Sequence, residues 1–256
     1  MRRLVILFVV LISNIHFCQK EDSYAEYSII RLKNWFKFNA DAVVLVNKKK
    51  QSNFILSQYK NLLNKKTEKQ EGIFIANEDV KCSDGKKYFS DYKSMTTKSL
   101  LFENSCDSKV IINEKIKNPA WKIDSHRIKI NDYSVFKAEA SINDRKWIVY
   151  YSPDIKTLAN PCKFYGLDGL VIKAEDENKE YLFELSKFNG NYSSNLFNDF
   201  GDYATTSFSD FVKLTLSEYK KTIIENVRKI AANEEALNEF ISKMPPYECL
   251  EFIEKK

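Results

Sequence analysis

Period-two alternation of apolar and polar residues, together with short apolar runs, dominates the first 190 residues, as in β-strands. Alternation is seen from Tyr133 to Ile142 and from Glu180 to Phe188, and Ala42 to Val46 is a short apolar run. Short polar stretches separate these runs, as at Lys48 to Lys50. Because parallel strands need long crossover connections, short turns between successive strands predict an antiparallel sheet.

The apolar period becomes helical near the C-terminus. Thr215 and Glu218 have the spacing of a capping box, and a stripe of apolar residues at helical spacing follows them. The stripe consists of Leu216, Tyr219, Ile223, Val227 and Ile230. A second, shorter helix is predicted from Glu234 to Met244. We therefore predict a mainly β (α+β) fold, a curved antiparallel sheet or half-barrel with C-terminal helices packed on it.

The first 18 residues have the pattern of a secretory signal peptide. The pair Arg2-Arg3 precedes an apolar run from Leu4 to Ile12, which is shorter than the roughly 20 residues of a membrane span. Cleavage is expected between Cys18 and Gln19, and a lipid anchor on Cys18 is the competing interpretation. The protein is then exported, periplasmic or associated with the outer membrane.

The predicted domain organisation has three parts. Residues 1–18 form the signal peptide, 19–208 an antiparallel β domain, and 209–256 a C-terminal strand and helical segment packed on the sheet. Loss of Arg2 and Arg3 with the signal peptide lowers the formal net charge from +5 to +3. This near-neutral balance, without clustered basic residues, does not indicate nucleic-acid binding.

Four cysteines remain in the mature chain, namely Cys82, Cys106, Cys162 and Cys249. An even number of cysteines in an exported protein favours disulfides, and we expect Cys82–Cys106 and Cys162–Cys249. Buried free thiols are the alternative. Because no pair has C-x-x-C spacing, neither a redox motif nor a zinc site is indicated.

Residues suited to catalysis are few. His126 is the sole histidine of the mature chain, and its neighbour Ser125 is badly placed to act with it in a triad. Asp154 and Asp168 lie in predicted turns, where aspartate usually accepts backbone hydrogen bonds. The sequence predicts no catalytic residue, no metal site and no cofactor.

The stretch from Pro161 to Val171 carries two glycines within a dense apolar cluster. Glycine adopts positive φ without a steric penalty, so we predict a sharp structural turn with Gly166 or Gly169 at positive φ. The apolar side chains of this turn are expected to be buried. The predicted turn comprises Pro161, Phe164, Gly166, Leu167, Asp168, Gly169 and Leu170.

The same stretch resembles the signature of the GLPGLI family of small exported proteins from Bacteroidetes-type bacteria. Here the signature is Gly166-Leu167-Asp168-Gly169-Leu170-Val171, with Asp168 and Val171 departing from the family's residues. The segments from Trp121 to Ile123 and from Tyr151 to Ile155 also resemble segments near the signature in that family. Val135 stands where the family often has cysteine. The resemblance implies an exported, mainly β protein and implies no activity.

Three functions fit these features. The first is a non-enzymatic envelope module that binds a partner protein or an apolar ligand against its curved sheet. The second is a purely structural envelope component, and the third is an envelope hydrolase that uses carboxylates or Ser125 with His126. Oligomeric state and the identity of any partner are not readable from the sequence.

Overall fold

In the computed structural model, the described residues are 22–33, 36–57, 60–61, 86–102, 109–142, 145–193, 196, 200–211, 213, 217, 221, 224–225, 228–229 and 233–242. They contain thirteen strands and one helix with defined bounds. The strands are β1 (Ser23–Lys33), β2 (Phe36–Asn47), β3 (Gln51–Leu56), β4 (Lys60–Asn61), β5 (Lys86–Asp91), β6 (Thr96–Phe102), β7 (Lys109–Lys115), β8 (Lys122–Ile130), β9 (Tyr133–Ile142), β10 (Arg145–Ser152), β11 (Leu170–Asp176), β12 (Tyr181–Asn189) and β13 (Ala204–Thr206). Helix α1 is Glu234–Ser242, and helical residues also occur at 208–211.

All thirteen described strands belong to one sheet, in the order β13-β7-β6-β5-β3-β2-β1-β12-β11-β10-β9-β8, with β4 pairing beside β2. Neighbouring strands are antiparallel except for β13, which pairs in parallel with β7. The predicted mainly β, antiparallel fold is therefore confirmed.

The connection between β7 and β8 requires the sheet to curve. Ten strand-to-strand steps separate these two strands in the sheet order. At about 4.8 Å per step, a flat sheet would hold them about 48 Å apart. Only residues 116–121 connect them, and a chain of that length reaches at most about 25 Å between Lys115 and Lys122. The sheet therefore curls into a half-barrel, with its two ends facing each other.

The main core lies on the inner face of this half-barrel. Strand periodicity places alternate residues of β1, β2, β10 and β12 on that face, where they are buried. Among the largest fully buried side chains are Trp147, Tyr27, Phe164, Phe183 and Ile29. Phe164 belongs to none of the strands, so part of the core comes from the connection between β10 and β11.

The C-terminal part of the chain packs around the β7 end of the sheet. Phe211 is buried against Leu101, Val110 and Ile112, while Phe200 belongs to a separate cluster with Phe89 and Leu100. These contacts confirm that C-terminal helical residues pack on the sheet.

Two side-chain caps define where the helical residues begin. Ser207 Oγ accepts a hydrogen bond from the Asp210 backbone N–H, at 3.1 Å, and caps the helical residues from 208. This start precedes the predicted cap at Thr215. Asn233 Oδ1 accepts from Ala236 N–H at 2.8 Å and caps α1, which agrees with the predicted second helix through residue 242. Thr215, Glu218 and the apolar stripe lie outside the described residues.

Candidate functional site

The connection between β10 and β11, residues 153–169, covers the inner face of the half-barrel and is called the covering segment below. Its Phe164 ring packs between the rings of Trp147 and Phe183, with centroid separations of 5.0 and 5.6 Å. Leu167 is buried in the same core. The covering segment therefore occupies the apolar surface that the sheet curves around.

Residues 116–121 hold the covering segment from the other side. Trp121 Nε1 donates a hydrogen bond of 2.7 Å to the carbonyl oxygen of Tyr165, and the Trp121 ring lies 6.4 Å from that of Phe164. Asn118 lies beside Gly166. Residues 116–121, which connect β7 to β8, therefore also hold the covering segment in place.

Buried polar side chains fix the backbone of the covering segment to the sheet. Asn160 donates through Nδ2 to the Gly169 carbonyl and accepts through Oδ1 from the Val171 N–H, at 2.9 and 2.8 Å. The Tyr27 hydroxyl lies within hydrogen-bonding distance of the carbonyl oxygens of Ala159 and Val171, at 3.1 and 2.9 Å. Burial raises the pKa of Tyr27, so its hydroxyl stays protonated and remains a donor.

The apolar side chains of the predicted glycine turn are buried, as expected. Phe164, Leu167 and Leu170 are buried, and Gly166 has a φ of +80°. Gly169 is constrained differently, because a Cβ there would lie 2.2 Å from the carbonyl oxygen of Ser152. Pro161 is buried as well. Asp168 is exposed and forms an ion pair with Lys156.

The covering segment makes polar contacts with the other half of the sheet. Ser52, Ser90 and Thr97 align across β3, β5 and β6. The Tyr165 hydroxyl reaches Ser90 Oγ at 3.2 Å, and Lys163 pairs with Glu114 at 3.1 Å. The inside of the half-barrel is therefore apolar toward β10 to β12 and rich in hydroxyl groups toward β3 to β6.

Of the four predicted disulfide cysteines, only Cys162 is among the described residues. It is buried in the main core, with φ at 50°. Cys82, Cys106 and Cys249 lie outside the described residues. Both disulfides therefore stay predictions.

The strongest buried ion pair lies where the β9–β10 and β11–β12 hairpins meet. Arg145 Nη1 lies 2.5 Å from Asp176 Oδ2 and 2.8 Å from Glu180 Oε2, and the Asp176 side chain is fully buried. Asp176 Oδ1 also accepts from the Tyr181 N–H at 2.7 Å, and the Arg145 guanidinium lies 4.7 Å from the Tyr181 ring centre. All these partners come from the chain itself, so this arrangement joins the two hairpins.

The residues considered for catalysis are exposed. His126 is 87% exposed and hydrogen-bonds with Asp124, whose pKa is lowered by the His126 backbone N–H. Asp154 pairs with Arg127 at 3.2 Å. Within the described ranges, no three His, Cys, Asp or Glu side chains are grouped so that they would hold a metal ion. None of the described helices is long and apolar enough to cross a membrane.

Strand β8 is the candidate interaction site. Among the described strands it is the last of the sheet, next to β9, and residues 122–129 are all exposed. Ile123 and Ile128 retain 50% and 46% of their surface, the two highest values among the exposed large apolar side chains of the described residues. The four residues between Ile123 and Ile128 are all polar, so the sequence of β8 does not alternate as that of a half-buried strand does. The exposure of the two isoleucines follows from the position of β8 at the end of the sheet.

Comparisons with known proteins gave structural similarity only. No family model matches the chain, and neither does any curated protein. PNGF-II is similar at 17% identity and a TM-score of 0.48, over 77% of this chain and 34% of that one. A DUF1329 family protein from Desulfovibrio piger (10% identity, TM-score 0.32, 70% and 88% covered) and a LolA superfamily protein from Nitrosomonas europaea (10%, 0.29, 68% and 88%) are also similar. The chain spans about a third of the length of PNGF-II.

Proposed function

We propose that this protein is an exported, non-enzymatic binding module of the bacterial cell envelope whose ligand is another protein. The observation that carries the proposal is that the inside of the half-barrel is covered by the chain's own segment. Phe164 packs against Trp147 and Phe183 at the place where the curved sheet would otherwise receive a ligand. Binding must then use an outer surface.

An enclosed apolar ligand is the less favoured form of the binding hypothesis. Sites for small apolar molecules are concave and measure a few hundred Å³. Here Asn160 of the covering segment accepts a buried hydrogen bond from the Val171 N–H of β11, and Trp121 donates a half-buried one to the Tyr165 carbonyl oxygen. Moving the segment aside for a ligand would break these bonds and expose the Phe164 ring to water.

Exposed apolar residues at the sheet end favour a protein partner over a purely structural role. Ile123 and Ile128 are half exposed on a strand whose one neighbour among the described strands is β9. Extended segments of partner proteins add to exposed sheet edges through backbone hydrogen bonds. The hydrolase hypothesis has less support, because His126 is exposed and a triad histidine works in a desolvated site.

The binding proposal is tested on the mature protein in its native envelope. A photo-crosslinking amino acid at Ile128 should give one defined protein adduct, and the same amino acid at exposed Lys93, in the β5–β6 turn, should not. Native mass spectrometry of the purified protein should show no bound lipid. A stoichiometric lipid together with no adduct from Ile128 would reject the proposal in favour of an apolar-ligand carrier.

Export is a separate part of the proposal and rests on the N-terminal pattern and on the resemblance to the GLPGLI family. Mass spectrometry of the envelope fraction should find a chain that begins at Gln19. A diacylglycerol adduct on Cys18 would select the lipid-anchored alternative. A chain that still begins at Met1 would contradict export by this signal.

A further inference from the structure

We propose that the second half of β8, Arg127 to Ile130, binds an extended segment of the partner that carries two acidic residues separated by one apolar residue. This inference rests on the proposed function, because it names the surface and the chemistry of the protein ligand. Three features support it, namely the regularity of this half-strand, the placement of its charges and its poor fit to a second copy of itself.

Only the second half of β8 has a regular edge. Arg127, Ile128, Lys129 and Ile130 pair in unbroken register with Phe136 to Tyr133 of β9, whereas the register shifts between Ile123 and Arg127. Within that shift, Asp124 Oδ1 accepts from the His126 backbone N–H at 2.9 Å. That N–H is already used, so the irregular half cannot supply a complete ladder to a new strand. Bulges of this kind normally protect sheet edges, and here the protection stops before Arg127.

The regular half presents two cations on one face. Arg127 and Lys129 are two residues apart and share a face, while Ile128 lies on the opposite face and is 46% exposed. Arg127 is held in place by Asp154, at 3.2 Å, and by the Phe136 ring, whose centre lies 5.0 Å from the guanidinium carbon. A strand with acidic residues opposite Arg127 and Lys129 would gain charge complementarity, and its intervening residue would face Ile128.

A second copy of this chain fits the same edge badly. Two identical antiparallel strands related by a two-fold axis pair symmetrically about one residue. Centring on Arg127 places Arg127 opposite its copy, and centring on Lys129 places the two lysines opposite each other. Centring on Ile128 places Arg127 opposite Lys129 twice. These three arrangements set like charges directly opposite, which destabilises a strand pair. The fourth, centred on Ile130, pairs Lys129 with Asn131 of the β8–β9 turn, so it uses only the end of the edge.

The test uses the full mature protein and a capped, fluorescent peptide, Thr-Thr-Glu-Val-Glu-Thr-Thr. Its matched control replaces both glutamates with lysine. We expect fluorescence anisotropy to show at least tenfold tighter binding of the glutamate peptide, with the difference shrinking as salt rises. The double variant Arg127→Glu/Lys129→Glu should reverse the preference. Lys93→Glu/Lys98→Glu, which makes the same charge change at two exposed residues elsewhere, should leave it unchanged.

Hydrogen exchange distinguishes strand addition from attraction between charges alone. On addition of the glutamate peptide, backbone amides between 127 and 130 should gain protection while those of the β5–β6 turn do not. Equal binding of the two peptides, or an unchanged preference in the Arg127→Glu/Lys129→Glu variant, would overturn the inference. So would a wild-type dimer that this variant dissociates, because the occupant would then be a second copy. If neither peptide binds but the crosslinker at Ile128 still gives one protein adduct, the inferred acidic segment is wrong and the proposed function stands.

Discussion

Adding one methyl group at Gly169 should destabilise the protein through a steric clash alone. A Cβ at this position would lie 2.2 Å from the Ser152 carbonyl oxygen, 2.8 Å from its carbon and 2.9 Å from Pro153 Cα. All three obstacles are backbone atoms, so no side chain can rotate away. The covering segment and the end of β10 must separate by about 1 Å, and overpacking of this kind costs about 1–3 kcal/mol or more.

We expect Gly169→Ala to cost about 3 kcal/mol, because the strand end and the covering segment are both held by buried contacts. For a chain of this length, that corresponds to a fall in Tm of about 6–12 °C. Urea denaturation followed by circular dichroism measures the change in the free energy of unfolding, and a thermal melt measures the Tm.

Alanine variants at two other glycines distinguish the cost of a steric clash from the cost of an unfavourable backbone conformation. Gly201 has a φ of +81°, with the nearest atom to an added Cβ at 3.5 Å, so Gly201→Ala should show only the backbone cost of about 1 kcal/mol. Gly190 is in a turn with the nearest atom at 3.6 Å, so Gly190→Ala should change stability little. If Gly169→Ala melts like Gly190→Ala, the close approach between Gly169 and Ser152 is not present in the folded protein.

Three further changes test other parts of the structure. Leu170→Ala should cost about 2–5 kcal/mol through the cavity it leaves, and an unchanged melt would show that Leu170 is not in the core. Arg145→Met leaves Asp176 buried without its cation and should cost about 3–5 kcal/mol in urea denaturation. The neighbouring Lys146→Met, which removes an exposed pair with Glu177, should change nothing measurable, and equal effects of the two variants would refute this assignment. The hydrogen bond that the Ser207 hydroxyl donates to the Asp210 carboxylate lowers the pKa of Asp210 below its ordinary 3.8, so the stabilisation from this bond should be complete above that pH and decline as pH falls through the lowered pKa. NMR titration of Asp210 in the wild type and in Ser207→Ala checks this, and identical pKa values in the two proteins would contradict it.

Local pattern in the sequence was enough to locate most of the strands. The predicted run from Tyr133 to Ile142 coincides with β9, and the predicted run from Glu180 to Phe188 nearly coincides with β12. The burial of Phe164, Leu167 and Leu170 followed from the density of apolar residues around two glycines. These features depend on residues close in sequence, whose side-chain period and turn chemistry act within one element.

The order of the strands was decided by the tertiary structure. Nothing local places β8 ten positions away from β7 in the sheet, or pairs β13 in parallel with β7. The same holds for Arg145 and Asp176, which lie 31 residues apart in sequence and share a buried ion pair. Contacts of this kind follow from how the whole sheet closes.

The difference between what the sequence determines and what the tertiary structure determines is clearest at the candidate site. The residues of β8 show no regular alternation, because four polar residues, Asp124 to Arg127, separate Ile123 from Ile128. In the structure Ile128 is exposed, because β8 is the last described strand of the sheet and the covering segment packs over β10 to β12. Periodicity determines which residues share a face of a strand. Whether that face is covered depends on the elements that pack against it, and for β8 only the tertiary structure decided this.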